Sequence, residues 1–412
     1  MNIRFEKILS AIEQSKQRKD FEYNSIGTIL KQQRRSKNMT LEEVSENICS
    51  NSYLSKAENM QLIPKDPILS KLKKRLDINQ TLEFDQDVYQ QTLSYLVDSL
   101  FFERELDKGV YRIFSGTVDL KYNLILLGYY VTNHEYAKAE EIYYFLEDEL
   151  EKLDNLERDI LFLLASKLLF VNGLYFLAYK LLKHVDYKGN NELLILESKA
   201  VFLMSVAKLD RVSGYAKEYN DLINELSGFG YYKKITKLKY EWLLTSLRSV
   251  SIDEAFRTIE KLEEYTDKQK DYMKFHLYYN QGKHDIILKK LDKKFLLDER
   301  RFLLYLLTLD SVGNGVKILD IIYHEKNKPN TILVQKLIDC LTVKYNSTAE
   351  SYYKYLLYGI KNGVLVEYNG VFGINALFKN ASQYLSDFKY YKYAKNTRDL
   401  LDTINCTLKS GN

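Results

Sequence analysis

From Ser25 to Ile78 the apolar residues fall at helical spacing in four short groups, each bounded by residues suited to capping or turning a helix. Ile26, Ile29 and Leu30 share one face of a first helix, and Arg34, Arg35 and Lys37 follow at its end. Thr40 stands where an N-cap belongs, with Glu43 three residues on, so hydroxyl and carboxylate can satisfy each other's orphan amides as a capping box. The helix that starts there turns Leu41, Val44 and Ile48 inward and breaks near Cys49 to Asn51. A third helix begins at Asn51 or Ser52, either of which can cap it, with Leu54 and Ala57 inward and Tyr53, Lys56 and Asn59 outward. Pro67 fits the first turn of a fourth helix, where its missing amide costs nothing, and Leu69, Leu72 and Leu76 close the core.

On either side the pattern changes. Residues 1–24 read as a helical extension, with Ile3, Ile8, Leu9 and Ile12 at roughly helical spacing before a polar run; it packs on the neighbouring domain or serves as a basic arm toward DNA or a dimer partner. Residues 79–87 are polar without periodicity and read as a linker. From Val88 the helical spacing returns (Leu93, Leu96, Val97, Leu100, Phe101) and a second domain, 88–412, begins. Three prolines and 17 glycines are too little punctuation for a many-stranded β protein, so the expected fold class is all-α, with long helices joined by short turns.

Two short helices joined by a tight turn, the second polar at its N-terminus, make the helix-turn-helix arrangement, with residues 25–78 as the domain and 52–58 as its recognition helix. The run VSENICSNSYLSKAEN, Val44 to Asn59, resembles the Xre-type helix-turn-helix, and its I-C-x-x-S followed by S-K-x-E-N resembles the version in the Rgg, Rap, NprR, PlcR and PrgX group. Those are cytoplasmic regulators that answer peptide pheromones and carry tetratricopeptide-like C-terminal domains. By that likeness Asn51, Ser52, Tyr53 and Lys56 approach bases and phosphates, while Glu58 and Asn59 fall on the pattern's structural end; the glycine usual next is Met60 here. Arg34, Arg35 and Thr40 complete the expected DNA-binding set. Charge agrees: Lys31 to Arg75 holds ten basic residues against five acidic, whereas the whole chain is only +4.

Beyond about residue 117 the sequence repeats itself. Leu127, Tyr130, His134, Tyr136, Ala139 and Tyr143 recur at the same offsets as Ser166, Leu169, Gly173, Tyr175, Ala178 and Leu182, a step of 39 residues. Ala216, Ala255 and Ile287 take the small-residue position in the next copies, and turns near Gly313, Asn346 and Ser386 continue more loosely. This is similar to tetratricopeptide repeats, without their usual tryptophan and Leu-Gly pair. The resemblance implies a right-handed solenoid of seven to nine degenerate helical hairpins. It also implies that the first helix of each hairpin lines a concave groove, which on this chain places Lys121, Lys167, Lys208, Lys237, Tyr240, Arg248, Tyr272, His276, Tyr279 and Asn280 inside. Such a groove suits a short signalling peptide: a cation for its carboxylate, phenols for apolar area, an amide for its backbone. The plain alternative is that these lysines are solvated and these tyrosines pack between helices.

Composition narrows the class. A hydrophobic fraction of 46% leaves ample core, and three cysteines scattered at 49, 340 and 406 make no disulfide framework, as a reducing cytoplasm would have it. The start has no secretory pattern, and no apolar run approaches the length of about 18 residues a membrane helix needs. No HExxH, CxxC, G-x-S-x-G or P-loop occurs, the five histidines have no ligand spacing, and Gly313-Asn314-Gly315 reads as a turn, so no enzyme, metal or cofactor is expected. Cys49 reads as a small packing residue ahead of a redox sensor.

The resemblance thus implies a homodimeric, sequence-specific transcription regulator in quorum sensing, which binds a double-stranded DNA operator and is controlled by a peptide that alters the solenoid's curvature. A rival from another class is a scaffold that captures a response regulator or similar folded partner. A third is a ligand-independent DNA-binding dimer.

Overall fold

The computed structural model describes residues 25–59, 62, 64–78, 86–115, 119–189, 191–209, 211–291, 298–347 and 351, together with Ile8. The expected N-terminal helical extension apart from Ile8, Met60, linker residues 79–85, the turn near Ser386 and Cys406 lie outside these. Every regular element among the described residues is helical, and two compact units divide them.

The first unit takes residues 3–168 and 184–197. It opens with α1 (Ser25–Ser36), α2 (Leu41–Ser45), α3 (Asn51–Glu58) and α4 (Asp66–Arg75). α1 packs on α3, and α2 on both α3 and α4. Their shared core is Leu30, Val44, Leu54, Leu72 and Leu76, with Ile48, Cys49 and Leu69 half-buried against it, so the spacing placed the inward faces correctly. Each fully buried leucine or valine there contributes about 1.5–3 kcal/mol relative to exposure. α4 carries Pro67 in its first turn as expected.

The same unit continues through α5 (Gln86–Phe102), α6 (Lys108–Phe114), α7 (Leu120–Thr132) and α8 (Tyr136–Asp148) to most of α9 (Asn155–Val171). α5 begins inside the stretch expected to be linker. α7 is apolar nearly all round because it packs on α5, α6 and α8 together. At Gly128 a Cβ would overlap the methyls of the fully buried Leu96, so the close approach of α7 to α5 requires glycine. An ion pair ties the opening helices to the remainder of the unit: Lys31 Nζ on α1 lies 3.2 Å from the Glu149 carboxylate just after α8, and Lys152 lies 2.5 Å from the same group.

Residues 169–183 and those from Ser198 onward form the second unit. Its described helices are α10 (Tyr175–Leu182), the greater part of α11 (Glu192–Lys208), α12 (Ala216–Gly228), α13 (Tyr232–Ser246), α14 (Ile252–Glu260), α15 (Asp267–Asn280), α16 (His284–Lys290), α17 (Glu299–Ser311), α18 (Gly315–His324) and α19 (Ile332–Asn346). From α14 each helix packs on the next, and α15 also meets α17, and α17 meets α19.

The repeat register has a local signature. A left-handed residue stands five positions before a fully buried one at His134 (φ 62°) and Ala139, Gly173 (76°) and Ala178, Gly282 (70°) and Ile287, and Gly313 (71°) and Ile318. That residue turns the chain out of one helix and lets the next lie against it. Gly313 is accordingly a turn, as read. Ala255 is buried as expected, but Ala216 is exposed: a short 3₁₀ turn, Val212–Tyr215, makes Ala216 the first residue of α12, whose inward face begins only at Leu222 and Leu226.

Candidate functional site

α3 divides cleanly into two faces. Leu54 and Ala57 are fully buried and Glu58 nearly so, while Asn51, Ser52, Lys56 and Asn59 are exposed. Three consecutive residues here have cap chemistry, and the cap is Ser50, whose Oγ accepts from Tyr53 N–H at 3.1 Å, rather than Asn51 or Ser52. Asn51 is bonded instead to the Ser45 hydroxyl. The turn from α2 into α3 passes through Asn47 in the left-handed region, φ 59°. The expected capping box is present: Glu43 N–H donates to Thr40 Oγ at 3.2 Å and Thr40 N–H donates to the Glu43 carboxylate at 2.6 Å, which holds that carboxyl below its usual range. Thr40 is therefore engaged as a cap on an exposed turn. Tyr53 is half-buried, its phenol accepting from Lys65 N–H at 3.3 Å, so it anchors the loop before α4.

Arg34 departs from its expected role as a DNA contact. Its Nε and Nη2 donate to the two Glu58 oxygens at 2.7 and 2.8 Å, and Nη1 donates to Met39 O at 3.0 Å. Fork meets fork, and the guanidinium is spent locking α1 to the end of α3. Glu58 has the structural role expected of it. Arg75 does similar work, donating to Glu43 O and Glu46 O at 3.1 and 2.7 Å, where a cation suits the end of α2. Lys37 pairs with Asp77 at 2.5 Å. Of the expected DNA-binding set, Arg35, Ser52 and Lys56 remain as outward-facing side chains, and Asn51 is exposed with its amide oxygen held by Ser45.

The expected groove residues fall into two groups. Lys121 and Lys167 lie in the first unit, each against a buried glutamate: Lys121 Nζ is 2.9 Å from Glu157, which also accepts from Tyr89 O–H at 2.9 Å, and Lys167 pairs with Glu197. Lys208 repeats the arrangement in the second unit, 2.7 Å from Glu241. These lysines were expected to face an open groove, and they instead neutralise carboxylates that could not otherwise be buried. Sequence reasoning missed all three glutamates. The signal that could have found them is a lone acid inside an apolar helical run, as in Leu196-Glu197 and Glu241-Trp242-Leu243-Leu244.

Lys237, Tyr240 and Tyr272 come together on the wall of a cavity of about 570 Å³, with Lys233, Arg300 and Arg301. Arg300 reaches Glu241 at 2.5 Å and lies over the rings of Tyr240 and Tyr272 at 5.0 and 6.0 Å. Burial alone would raise the Glu241 carboxyl, but Arg300 and Lys208 outweigh it and hold it at about 2. Arg248, His276 and Asn280 form a chain beside this site, His276 Nε2 at 3.3 Å from Arg248 and its Nδ1 at 3.2 Å from Asn280. Burial and Arg248 push that imidazole well below its ordinary value, so it is neutral and structural. Tyr279 bonds Ser311 at 2.8 Å.

Among the described residues no cluster could hold a metal ion, and no helix is long and apolar enough to cross a membrane. No curated protein and no solved structure matches the chain. Residues 30–79, from the buried end of α1 through α4, match the family model for helix-turn-helix domains.

Proposed function

We propose that the protein is a sequence-specific transcription regulator, homodimeric on a palindromic or repeated operator, whose second domain binds a short signalling peptide. The observation that carries the DNA-binding part is α3: Leu54, Ala57 and Glu58 are buried on one side, and Ser52 and Lys56 are exposed on the other. A helix so divided can enter the major groove with polar side chains toward base edges and a lysine toward phosphate. Supporting the peptide part is the cavity that gathers Lys237, Tyr240 and Tyr272, three side chains the repeat register assigned to the groove. A peptide bound there acts on DNA affinity only through its differential affinity for two arrangements of the dimer, whose recognition helices must sit about 34 Å apart to reach half-sites one turn apart.

The test is fluorescence anisotropy on the DNA upstream of the gene, or on a selected operator, with the wild type and Lys56→Glu at matched salt. Lys56→Glu should weaken binding at least tenfold, about 1.4 kcal/mol. Unchanged affinity would remove α3 from the interface.

A further inference from the structure

α1–α4 pack on one another around a core of their own, and Lys31 of α1 reaches 118 residues along the chain to Glu149. Glu149 also has a nearer partner. It is the C-cap of α8, and the 3₁₀ turn that follows, Leu150–Lys152, brings Lys152 back to it. We infer that Lys31, Glu149 and Lys152 form a releasable latch, which holds the helix-turn-helix domain to the rest of the first unit and, while closed, withholds Lys31 from DNA.

The carboxylate explains why two cations gather. Glu149 is buried at the C-terminal end of α8, where the helix dipole and the loss of water both disfavour a negative charge. Each lysine takes one of its oxygens, Lys31 at 3.2 Å from Oε1 and Lys152 at 2.5 Å from Oε2. The two lysines are not equivalent. Lys152 is fixed by the turn, with its side chain 4% exposed, whereas Lys31 keeps 17% of its side chain in water. Removing the one partner of a buried charge is costly, because the charge left behind has neither water nor a counter-ion. Here Lys31 can withdraw to solvent while Lys152 still answers Glu149. The two cations also oppose each other: burial holds the Lys152 ammonium below its ordinary value, against the pull of Glu149, and Lys31 lowers it further. Lys31 shares a face of α1 with the exposed Arg35, one turn on. Released, it adds a second cation to that face, where a phosphate can take the place of the Glu149 carboxylate. That last step rests on the DNA-binding reading above, and the latch itself does not.

Acetylation of the full-length protein with the N-hydroxysuccinimide ester of acetic acid, read by mass spectrometry, reports how often the Lys31 amine leaves Glu149. Lys71, exposed on α4, is the internal reference. Lys152→Met leaves Lys31 to neutralise Glu149 and should slow Lys31 acetylation at least threefold. Glu149→Gln/Lys152→Met removes the acid and its buried cation together, strands no charge, and should speed it at least threefold. A merely structural pair would loosen in both variants, so shifts of one sign, no shift, or the reverse order would overturn the latch. Affinity for the upstream DNA at matched salt should fall at least threefold in Lys152→Met and rise at least threefold in the double variant. Equal affinities alongside opposite acetylation shifts would overturn the withholding of Lys31 and leave the latch standing. Absence of DNA binding in the wild type and both variants would sink the DNA-binding reading and the withholding with it, while acetylation still decides the latch.

Discussion

Replacing Arg34 by methionine tests whether this arginine is part of the scaffold or part of the interface. The Glu58 side chain is only 3% exposed, and Arg34→Met removes its bidentate partner while leaving the carboxylate in place. Breaking a buried pair from one side costs about 3–5 kcal/mol. The Arg34 side chain keeps 14% of its surface in water, so some solvent can reach the orphaned carboxylate and the cost falls near the lower figure, about 3 kcal/mol. Glu58→Gln should cost less, about 1.5 kcal/mol, because the guanidinium keeps the Met39 carbonyl and can turn outward. Arg34→Met/Glu58→Leu should recover most of the loss, since the site borders the buried Leu30 and Leu54 core. With two compact units, a whole-protein unfolding free energy does not isolate α1 and α3. Hydrogen exchange of α1 and α3 amides is the better assay, where 3 kcal/mol means acceleration by about two orders of magnitude. DNA affinity should fall in Arg34→Met and return in the double variant. Unchanged exchange in Arg34→Met, with DNA binding lost in both variants, would make Arg34 a DNA contact and refute the scaffold role.

Two further predictions concern the first unit. Gly128→Ala should destabilise it by about 1–2 kcal/mol, because the new methyl meets Leu96 in a full core, and adding Leu96→Ala should relieve that overlap; a thermal melt in which Gly128→Ala is neutral would mean the helices can separate. Burial raises the Asp159 carboxyl from 3.8 to about 6, despite the hydrogen bond it accepts from Asp186 N–H at 3.2 Å. A raised folded-state value means the folded protein holds this proton more tightly than the unfolded chain, so stability is lost as pH rises from about 4 through 6. Asp159→Asn should therefore raise the melting temperature at pH 7.5 and leave it unchanged near pH 4, and an equal gain at both would exclude titration as the cause.

The helix-turn-helix was legible because its determinants are local. Helical spacing, a capping box and a proline in a first turn all act within four residues, and each was read at its true place. The errors there have the same origin. Ser50, Asn51 and Ser52 are chemically equivalent caps, and the choice of Ser50 depends on where α2 releases the chain, which Asn47 settles by its left-handed backbone. Arg34 looked like Arg35 because its partner is 24 residues away, and nothing in the flanking sequence distinguishes an arginine that folds inward from its neighbour that does not.

The repeat region shows the same limit at longer range. At four turns a left-handed residue stands five before a fully buried one, but Ala255 is buried without one and Ala216 is exposed, so the expected register matches the chain only in part. It could not say whether a facing lysine meets solvent or a carboxylate, because that depends on a residue 30 to 36 positions on: Glu157 for Lys121, Glu197 for Lys167, Glu241 for Lys208. In the first two pairings one lysine answers one buried acid, and the charges cancel locally. At Glu241 two cations, Lys208 and Arg300, converge on a single carboxylate. Lys31 and Lys152 converge in the same way on Glu149, so what the sequence withheld in each case is the partner, which long-range packing alone decides.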